Sequence, residues 1–256
     1  MPGHMKLEQI LFSQGFGTRR GCRALILAGE VTVGGALCDD PDMPFAVDGP
    51  ACPVPLGFTV EDVVWQYHAR AYLMLHKPAG YECSQKPKHH PSVLSLLPAP
   101  LRERGVQPVG RLDEDTTGLL LLSDDGQFIH RMTSPRHEVP KRYEVVTAEP
   151  VTAGQTAALL AGVVLEDDPT PVRALACESG ESHALALTLT SGKYHQVKRM
   201  LAAVGNHVVR LHRSRMGALE LPATLAEGQW RWLQSDDLAQ LVAVDPASRG
   251  PGCSTG

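Results

Sequence analysis

The amino-acid sequence predicts an α+β fold in which a small N-terminal module precedes a larger, strand-rich domain. The first 45 residues have the pattern helix, helix, hairpin, whereas residues 69–244 contain many strand-like runs and few helical ones. This distribution favours α+β over a doubly wound parallel sheet, in which strands and helices alternate regularly. A length of 256 residues accommodates both parts.

The N-terminal module, residues 5–45, begins with two predicted helices. Leu7, Ile10 and Leu11 have the i, i+3, i+4 spacing of a helix with one apolar face. Thr18 is suited to cap the start of the second helix, because its hydroxyl can accept a hydrogen bond from an unpaired backbone N–H group.

A hairpin and a linker are predicted after the two helices. Val31 and Val33 alternate with polar positions before Gly34-Gly35, a pair typical of a hairpin turn. Five prolines and two glycines between residues 41 and 57 indicate irregular structure. We therefore place a linker at residues 46–68.

The larger domain, residues 69–244, combines strands and a few helices. Strand-like runs occupy residues 71–75, 119–122, 143–147, 184–190 and 207–211, and helical patterns occupy residues 125–132, 152–161 and 194–204. In the last of these helices Val197, Met200 and Leu201 are expected to form the buried stripe. Residues 245–256 are rich in Gly, Pro and Ser and are expected to be a disordered tail.

The distribution of charge indicates an anionic partner. The formal net charge is −4, which argues against a protein that coats nucleic acid indiscriminately. However, residues 193–219 carry six Lys or Arg and no Asp or Glu, and smaller basic clusters lie at 16–27 and 128–142. Such runs are often only solvated surfaces. The complete lack of acid over 193–219 nevertheless favours an anionic ligand.

Cysteine usage and hydropathy indicate a cytoplasmic protein. The six cysteines include no CxxC pair, so the sequence predicts neither a zinc ribbon nor a disulfide framework. No apolar run approaches the roughly 20 residues that span a bilayer. The first residues contain no apolar segment of the kind found in secretory signals. We therefore expect no membrane association.

The most distinctive segment contains Asp113, Asp115 and Thr117. The same DxDxT pattern occurs in Mg²⁺-dependent phosphohydrolases of the haloacid dehalogenase type, but there a buried apolar strand precedes the first Asp. This chain has Gly110-Arg111 at that place. The residues also match the first positions of a calcium loop, yet position 12 is Asp124 instead of the bidentate Glu. Both alternatives are therefore disfavoured.

The segment Gly110-Arg111-Leu112-Asp113-x-x-Thr116-x-Gly118-Leu119 closely resembles the catalytic motif of RNA pseudouridine synthases. Its continuation Leu-Leu-Leu-Ser-Asp-Asp-Gly is similar to that of the small-subunit rRNA synthase A subfamily. Other segments resemble the family's motifs in the same order: His76-Lys77-Pro78-x-Gly80, His90-Pro91-Ser92-Val93, Lys141-x-Tyr143 and Lys193-Tyr194-His195-Gln196-Val197-Lys198-Arg199-Met200. The N-terminal module resembles an S4 RNA-binding domain.

This resemblance implies a fold, a reaction and a catalytic residue. The fold is an S4-like module followed by a catalytic domain with a mixed, largely antiparallel sheet flanked by helices. The reaction converts uridine to pseudouridine without a cofactor or a metal, and Asp113 is the catalytic carboxylate. Whether Asp113 adds to the base, attacks C1′ or removes the C2′ proton stays open. The alternative for Asp113 is a turn or N-cap residue, and for Asp115 the turn role is favoured.

The resemblance assigns two further catalytic side chains. Lys198, three residues after the motif histidine, is expected to keep the carboxylate of Asp113 ionised and to hold its rotamer. Tyr143 is expected to lie against the target base, which must leave its stack, and to take the C5 proton. The alternatives are a solvated helix-face lysine and a core tyrosine. His195 is expected to be an ordinary residue at the start of a helix.

Several basic side chains are expected to hold RNA. Arg111, beside the carboxylate, is placed to fill the gap left by the flipped base or to grip a phosphate, unless it forms an ion pair with Asp115 or Glu114. Other arginines are expected to bind phosphates, which gives affinity more than sequence choice; they are Arg19, Arg20, Arg23, Arg199, Arg210 and Arg213.

The sequence therefore predicts a monomeric rRNA pseudouridine synthase. Its expected substrate is a uridine of 16S rRNA, either free or in a small-subunit assembly intermediate. The alternatives are a 23S rRNA synthase of the same family and a non-catalytic RNA-binding protein of the S4 type.

Overall fold

The computed structural model describes residues 3–48, 55–166 and 168–242. The chain divides into two compact units. The first comprises the residues up to Ala71 together with Leu97–Gln107, and the second comprises Tyr72–Leu96 and the residues from Pro108 onward. The predicted tail lies outside the described residues.

The first unit contains the predicted helices and hairpin. Its elements are β1 (His4–Lys6), α1 (Leu7–Gln14), α2 (Arg19–Leu27), β2 (Val31–Val33), β3 (Ala36–Leu37), β4 (Pro44–Ala46), β5 (Gly57–Val60), β6 (Val63–Gln66) and α3 (Ala99–Glu103). Strand β1 pairs with β4, and the other strands form an antiparallel sheet in the order β3-β2-β5-β6. The range expected as a linker therefore contains β5 and β6.

Local sequence signals explain the two helices of this unit. In α1 the side chains of Leu7, Ile10 and Leu11 are fully buried, as their spacing predicts. Helix α2 begins after Thr18, whose hydroxyl accepts a hydrogen bond from the backbone N–H of Gly21 at 3.1 Å. The predicted order of helix, helix and hairpin is confirmed.

The second unit is built on one large sheet. Its strands are β7 (Tyr72–Lys77), β9 (Thr117–Ser123), β10 (Lys141–Thr147), β11 (Val163–Leu165), β12 (Asp168–Val172), β13 (Ala176–Ser179), β14 (Ala184–Leu189), β15 (Val208–Met216), β16 (Leu219–Glu220) and β17 (Trp230–Trp232), and the short β8 (Gln107–Pro108) lies where the two units divide. The helices are α4 (Gly126–Thr133), α5 (Ala153–Ala161), α6 (Gln196–Ala203) and α7 (Ser235–Val242).

The strand order of this sheet is β13-β14-β10-β15-β9-β7-β17, with β16 paired to β15. The pairing of β15 with β9 is parallel, and the other pairings along this order are antiparallel. The predicted α+β class with a mixed, largely antiparallel sheet is confirmed. Strands β11 and β12 form a separate antiparallel pair.

The core of the second unit lies around β9. The four leucines of residues 119–122 are fully buried, as expected for a central strand. Phe128 and Met132 of α4 and Leu241 of α7 pack on one face of this strand. Helix α4 begins after Asp125, whose carboxylate accepts hydrogen bonds from two backbone N–H groups of the first turn.

A glycine sets how closely β9 approaches β15. Gly118 has a φ of +110°, and a Cβ atom there would lie 2.3 Å from the carbonyl oxygen of Arg213. Only a residue without a side chain fits this conformation and this contact. Gly118 therefore fixes the position of the loop that immediately precedes β9.

Gly118→Ala should destabilise the protein by about 2–4 kcal/mol, because the added methyl group meets backbone atoms and the positive φ is strained. Denaturant unfolding measures this difference. Gly126→Ala is the matched control, since a Cβ there meets nothing within 4 Å. Equal stability of the two variants would contradict the role assigned to Gly118.

Candidate active site

The loop that carries Asp113 is a tight turn held from several sides. The backbone N–H of Thr116 donates to the carbonyl oxygen of Asp113 at 3.1 Å. The N–H of Gly80 donates to the carbonyl oxygen of Glu114 at 3.0 Å. These bonds place Asp113 between the end of β7 and the start of β9.

A buried lysine completes the support of this loop. Lys77 is 0% exposed, and its ammonium group donates to the carbonyl oxygens of Pro78, Glu114 and Thr116 at 3.0, 2.9 and 2.9 Å. Burial lowers the pKa of Lys77 from its usual value. Three acceptors match the three donors of a protonated ammonium group, so Lys77 acts as a cross-link between β7 and the loop of Asp113.

Two basic side chains face the carboxylate of Asp113. Lys198 Nζ lies 3.6 Å from Oδ2, and His195 Nε2 lies 3.5 Å from Oδ1. Both come from the start of α6, where His195 takes the N-cap position. The side chain of Asp113 is 25% exposed, so a substrate can reach it. The predicted neighbours Asp113 and Lys198 are thus brought together.

Asp115 belongs to the same cluster, although the sequence favoured only a turn role for it. Its two carboxylate oxygens accept hydrogen bonds from Lys198 Nζ at 2.7 and 2.8 Å. Partial burial alone would raise the pKa of Asp115, but the hydrogen bond and charge of Lys198 give a net lowering. Lys198 is therefore shared between two carboxylates and is bonded more closely to Asp115 than to Asp113.

A cavity opens beside Asp113 and contains Tyr143. Its volume is about 480 Å³, which suits a single nucleoside, and Asp113, Tyr143, Arg111, Lys141 and Arg213 are among its lining residues. We call it the Asp113 cavity. Tyr143 lies on β10 and is 8% exposed. Burial, followed by the charge of Arg213, lowers the pKa of Lys141 to about 8.

Two arginines at this cavity differ in accessibility. Arg111 is exposed, and no ion pair to Asp115 or Glu114 is found for it among the described residues. Arg213 is only 2% exposed, and its Nε donates to the carbonyl oxygen of Leu119 at 2.8 Å. The expectation that Arg213 binds a phosphate at the surface needs correction, because its strand directs the side chain into the protein.

The other two arginines of the larger unit that the sequence predicts to bind RNA differ in their surroundings. Arg199 Nη1 donates to the carbonyl oxygen of Tyr194 at 3.1 Å and thereby supports the start of α6. Arg210 on β15 is exposed and lines a second groove on the sheet, which Arg142 and Asp115 also line. Arg210 is therefore accessible to a phosphate, whereas Arg199 already has a structural contact.

The three arginines of the N-terminal unit that the sequence predicts to bind RNA also differ. Arg23 forms ion pairs with Glu8 at 2.8 Å and with Asp42 at 3.4 Å. Arg19 lies 3.6 Å from Glu8. Arg20 is exposed and has no ion pair among the described residues. Arg20 is therefore the most available of the three for an external phosphate.

The sequence interpretation missed a basic loop, residues 84–90, near Asp113. The carboxylate of Glu82 accepts hydrogen bonds from the backbone N–H groups of Lys88, His89 and His90 at 2.8–3.0 Å. These bonds lower the pKa of Glu82 to about 2. The loop lines a cavity of about 600 Å³ that also reaches Asp113. The run Lys86-Pro-Lys88-His-His was the available signal in the sequence.

Three other properties of the described residues bear on chemistry and location. Within these residues, no cluster of three or more His, Cys, Asp or Glu side chains is arranged to hold a metal ion. The cysteines at positions 22, 38, 83 and 177 are free thiols. No helix in the described part of the chain is long and apolar enough to cross a membrane.

Comparison with known proteins identifies the class to which this fold and this site belong. The family model described as RNA pseudouridylate synthase matches residues 71–203, and the model of the S4 domain matches residues 5–47. The chain belongs to the RNA pseudouridylate synthase family.

The relatives found are similar over most of their length. Ribosomal small subunit pseudouridine synthase A of Escherichia coli (strain K12) is 45% identical over 177 residues, which cover 69% of this chain and 76% of that protein. The protein of the same name from Yersinia pestis is 36% identical over 93% of this chain and 99% of its own length. A crystal structure of a pseudouridylate synthase has a TM-score of 0.65 and 34% identity, and the match covers 93% of this chain and 100% of that one.

Replacing Lys77 should destabilise both the fold and the loop of Asp113. Lys77→Met removes the ammonium donor from the carbonyl oxygens of Pro78, Glu114 and Thr116, of which Glu114 keeps only the N–H of Gly80. We therefore expect a loss of about 2–4 kcal/mol in the free energy of unfolding. Denaturant unfolding measures it, with Lys86→Met, at an exposed position, as the control. A Lys77→Met protein as stable as the control would show that the buried ammonium group does not hold the loop.

Proposed function

We propose that the chain converts a uridine of 16S rRNA to pseudouridine, with Asp113 as the catalytic carboxylate. The observation that carries this proposal is the position of Asp113 between Lys198 and His195 at the wall of a nucleoside-sized cavity that contains Tyr143. Membership of the RNA pseudouridylate synthase family supports the reaction type. The names of the relatives, which refer to the ribosomal small subunit, support the substrate.

The reaction rearranges bonds within one nucleotide. The N1–C1′ bond breaks, the base turns, a C5–C1′ bond forms, and the C5 proton leaves. Addition of Asp113 to the base, its attack on C1′ and its removal of the C2′ proton all need an ionised carboxylate. Lys198 favours that form, since its positive charge lies 3.6 Å from Oδ2. Tyr143 supplies an aromatic wall for the base and a hydroxyl group that can take the C5 proton.

RNA binding is divided between the two units in this proposal. The S4-like module, residues 5–45, docks on RNA through Arg20, while the catalytic domain, residues 69–244, holds the flipped uridine. A stacked base hides C1′ and C5, so flipping is required. Arg111 is exposed beside Asp113 and can fill the gap or hold the flanking phosphate. The basic loop, residues 84–90, extends this positive surface.

The biological setting is proposed as well. We infer that the protein acts as a monomer in the cytoplasm, on 16S rRNA either free or within a small-subunit assembly intermediate. The absence of a membrane-spanning helix in the described residues is compatible with this setting. We propose no cofactor or metal, since the substrate and the product are isomers and the conversion involves no net redox change and no group from another molecule.

Asp113→Asn should abolish pseudouridine formation without unfolding the protein, because the amide cannot act as a nucleophile or a base. The measurement is mapping of pseudouridine in unmodified 16S and 23S rRNA after incubation, with and without EDTA. Asp115→Asn is the comparison; it keeps Asp113 and should lower the rate only partly.

Each result of this experiment has a definite reading. Activity of Asp113→Asn would contradict the role of the carboxylate. Modification of 23S rRNA alone would show that the substrate belongs to the large subunit. Inhibition by EDTA would support the alternative of a Mg²⁺-dependent phosphohydrolase. If the native protein forms no pseudouridine in either rRNA, the alternative of a non-catalytic RNA-binding protein of the S4 type is favoured.

Arg20 and Arg23 should respond differently to substitution. Arg20→Ala should weaken RNA binding severalfold and reduce the slope of log affinity against log salt by about one, since one phosphate contact is lost. Arg23→Ala should mainly lower the melting temperature, because it leaves Glu8 without its closest basic partner. Titrations of RNA at several salt concentrations test this, and identical salt slopes for Arg20→Ala and the native protein would exclude the contact.

A further inference from the structure

The wall of the Asp113 cavity contains a guanidinium group whose hydrogen bonding is incomplete. Arg213 is 2% exposed, and only its Nε is hydrogen-bonded in the described structure, to the carbonyl oxygen of Leu119. Its Nη2 is buried and has no hydrogen-bond partner among the described residues. A buried donor without an acceptor is costly, which indicates that an acceptor is brought by a ligand.

The surroundings of Arg213 concentrate positive charge where the reaction is proposed to occur. Arg213 lines the same cavity as Asp113, Tyr143 and Lys141. Lys141 is partly buried, and its ammonium group donates to the carbonyl oxygen of Val139 at 2.9 Å. Burial is the main cause of the lowered pKa of Lys141, and the positive charge of Arg213 adds to it. Two cations thus share one wall of a cavity that has the size of a nucleoside.

We propose that Arg213 binds a carbonyl oxygen of the flipped uracil and is a specificity-determining residue for uridine. This inference rests on the proposed function, because it requires that a uridine enters the Asp113 cavity. Uracil offers two carbonyl oxygens, O2 and O4, as acceptors for the N–H groups of a guanidinium.

A base carbonyl fits Arg213 better than a phosphate does. A phosphate stays on the RNA backbone, outside the cavity, where the exposed Arg111 and the basic loop are available to it. Arg213 is reached only by a group that enters the protein, and its backbone is held against Gly118 of β9. The flipped base is the part of the substrate that enters.

The same contact assists the bond cleavage. When the N1–C1′ bond breaks, its electron pair stays with the base, and the resulting negative charge spreads over N1, O2 and O4. Along one route a carboxylate oxygen of Asp113 bonds to C1′ as N1 leaves, and C5 later displaces that oxygen. Along the other route Asp113 takes the proton of C2′, the electrons of the C2′–H bond form a C1′=C2′ double bond as N1 leaves, and the proton returns to C2′ when C5 bonds to C1′. Atoms and electrons therefore balance along both routes. A guanidinium fixed beside a carbonyl oxygen stabilises charge that develops there, and it does so best where water is excluded.

The test changes the arginine and the carbonyl together. RNA fragments of 16S rRNA carry uridine, 2-thiouridine or 4-thiouridine at the mapped target position, since sulfur accepts hydrogen bonds more weakly than oxygen. The native protein, Arg213→Met and Arg213→Lys are compared by kcat and KM for pseudouridine formation. Arg173→Met, an exposed arginine outside the site, is the control.

We expect Arg213→Met to lower kcat/KM on uridine by about 10- to 100-fold, the loss typical of a hydrogen bond to a charged group. The thio-substitution at the oxygen that Arg213 contacts should lower kcat/KM of the native protein. The same substitution should have little further effect on kcat/KM of Arg213→Met. Arg213→Lys should recover part of the rate, and it serves as the measured variant if Arg213→Met does not fold.

Three results would overturn this inference. If both thio-substitutions slow the native protein and the Arg213 variants by the same factors, Arg213 does not contact the base. Unchanged kinetics of folded Arg213→Met would lead to the same conclusion. If the native protein forms no pseudouridine in any fragment, the proposed function fails and the inference fails with it, whereas the first two results leave the proposed function intact.

Discussion

The geometry of the candidate active site depends on a single buried ammonium group. Lys77 has no contact with water, and its charge is tolerated because three carbonyl oxygens replace its hydration. Two of these oxygens belong to Glu114 and Thr116, so the bonds that satisfy the charge also fix the loop of Asp113. Taking an ion out of water costs several kcal/mol. Arrangements of the loop that leave Lys77 without these acceptors are therefore strongly disfavoured.

The loop has a second support in the close approach of β9 to β15. Gly118 brings its Cα against the backbone of Arg213, so the strand that follows Asp113 and the strand that bears Arg213 cannot separate without losing this contact. The residue that holds the loop in place thus also places a buried cation near the carboxylate. Rigid elements, and not flexible surface loops, therefore set the spacing between Asp113 and the wall of its cavity.

The sequence was sufficient where the determining interactions are local. Helices such as α1 and α2 follow from apolar spacing and from the cap at Thr18, which involve neighbouring residues only. Strands β5 and β6 could not be foreseen, because β5 joins the sheet through the distant β2 and β6 joins it only through β5. A Pro- and Gly-rich composition shows only that the chain turns. Asp113, Tyr143 and Lys198 come from separate segments, so family resemblance was needed to associate them. Spacing alone also could not show that Lys198 bonds to Asp115 or that Arg213 faces inward.

The net charge of −4 does not reveal how the cations of this chain are used. Arg23 is paired with acidic side chains, Arg20 and Arg111 are exposed, and Arg213 is buried. Exposed cations attract phosphates over a distance that salt shortens. A buried cation acts only on a group in contact with it and is screened far less. Under the proposals made for Arg20, Arg111 and Arg213, affinity for RNA and recognition of the base rest on different residues, and the two should then be separable by substitution.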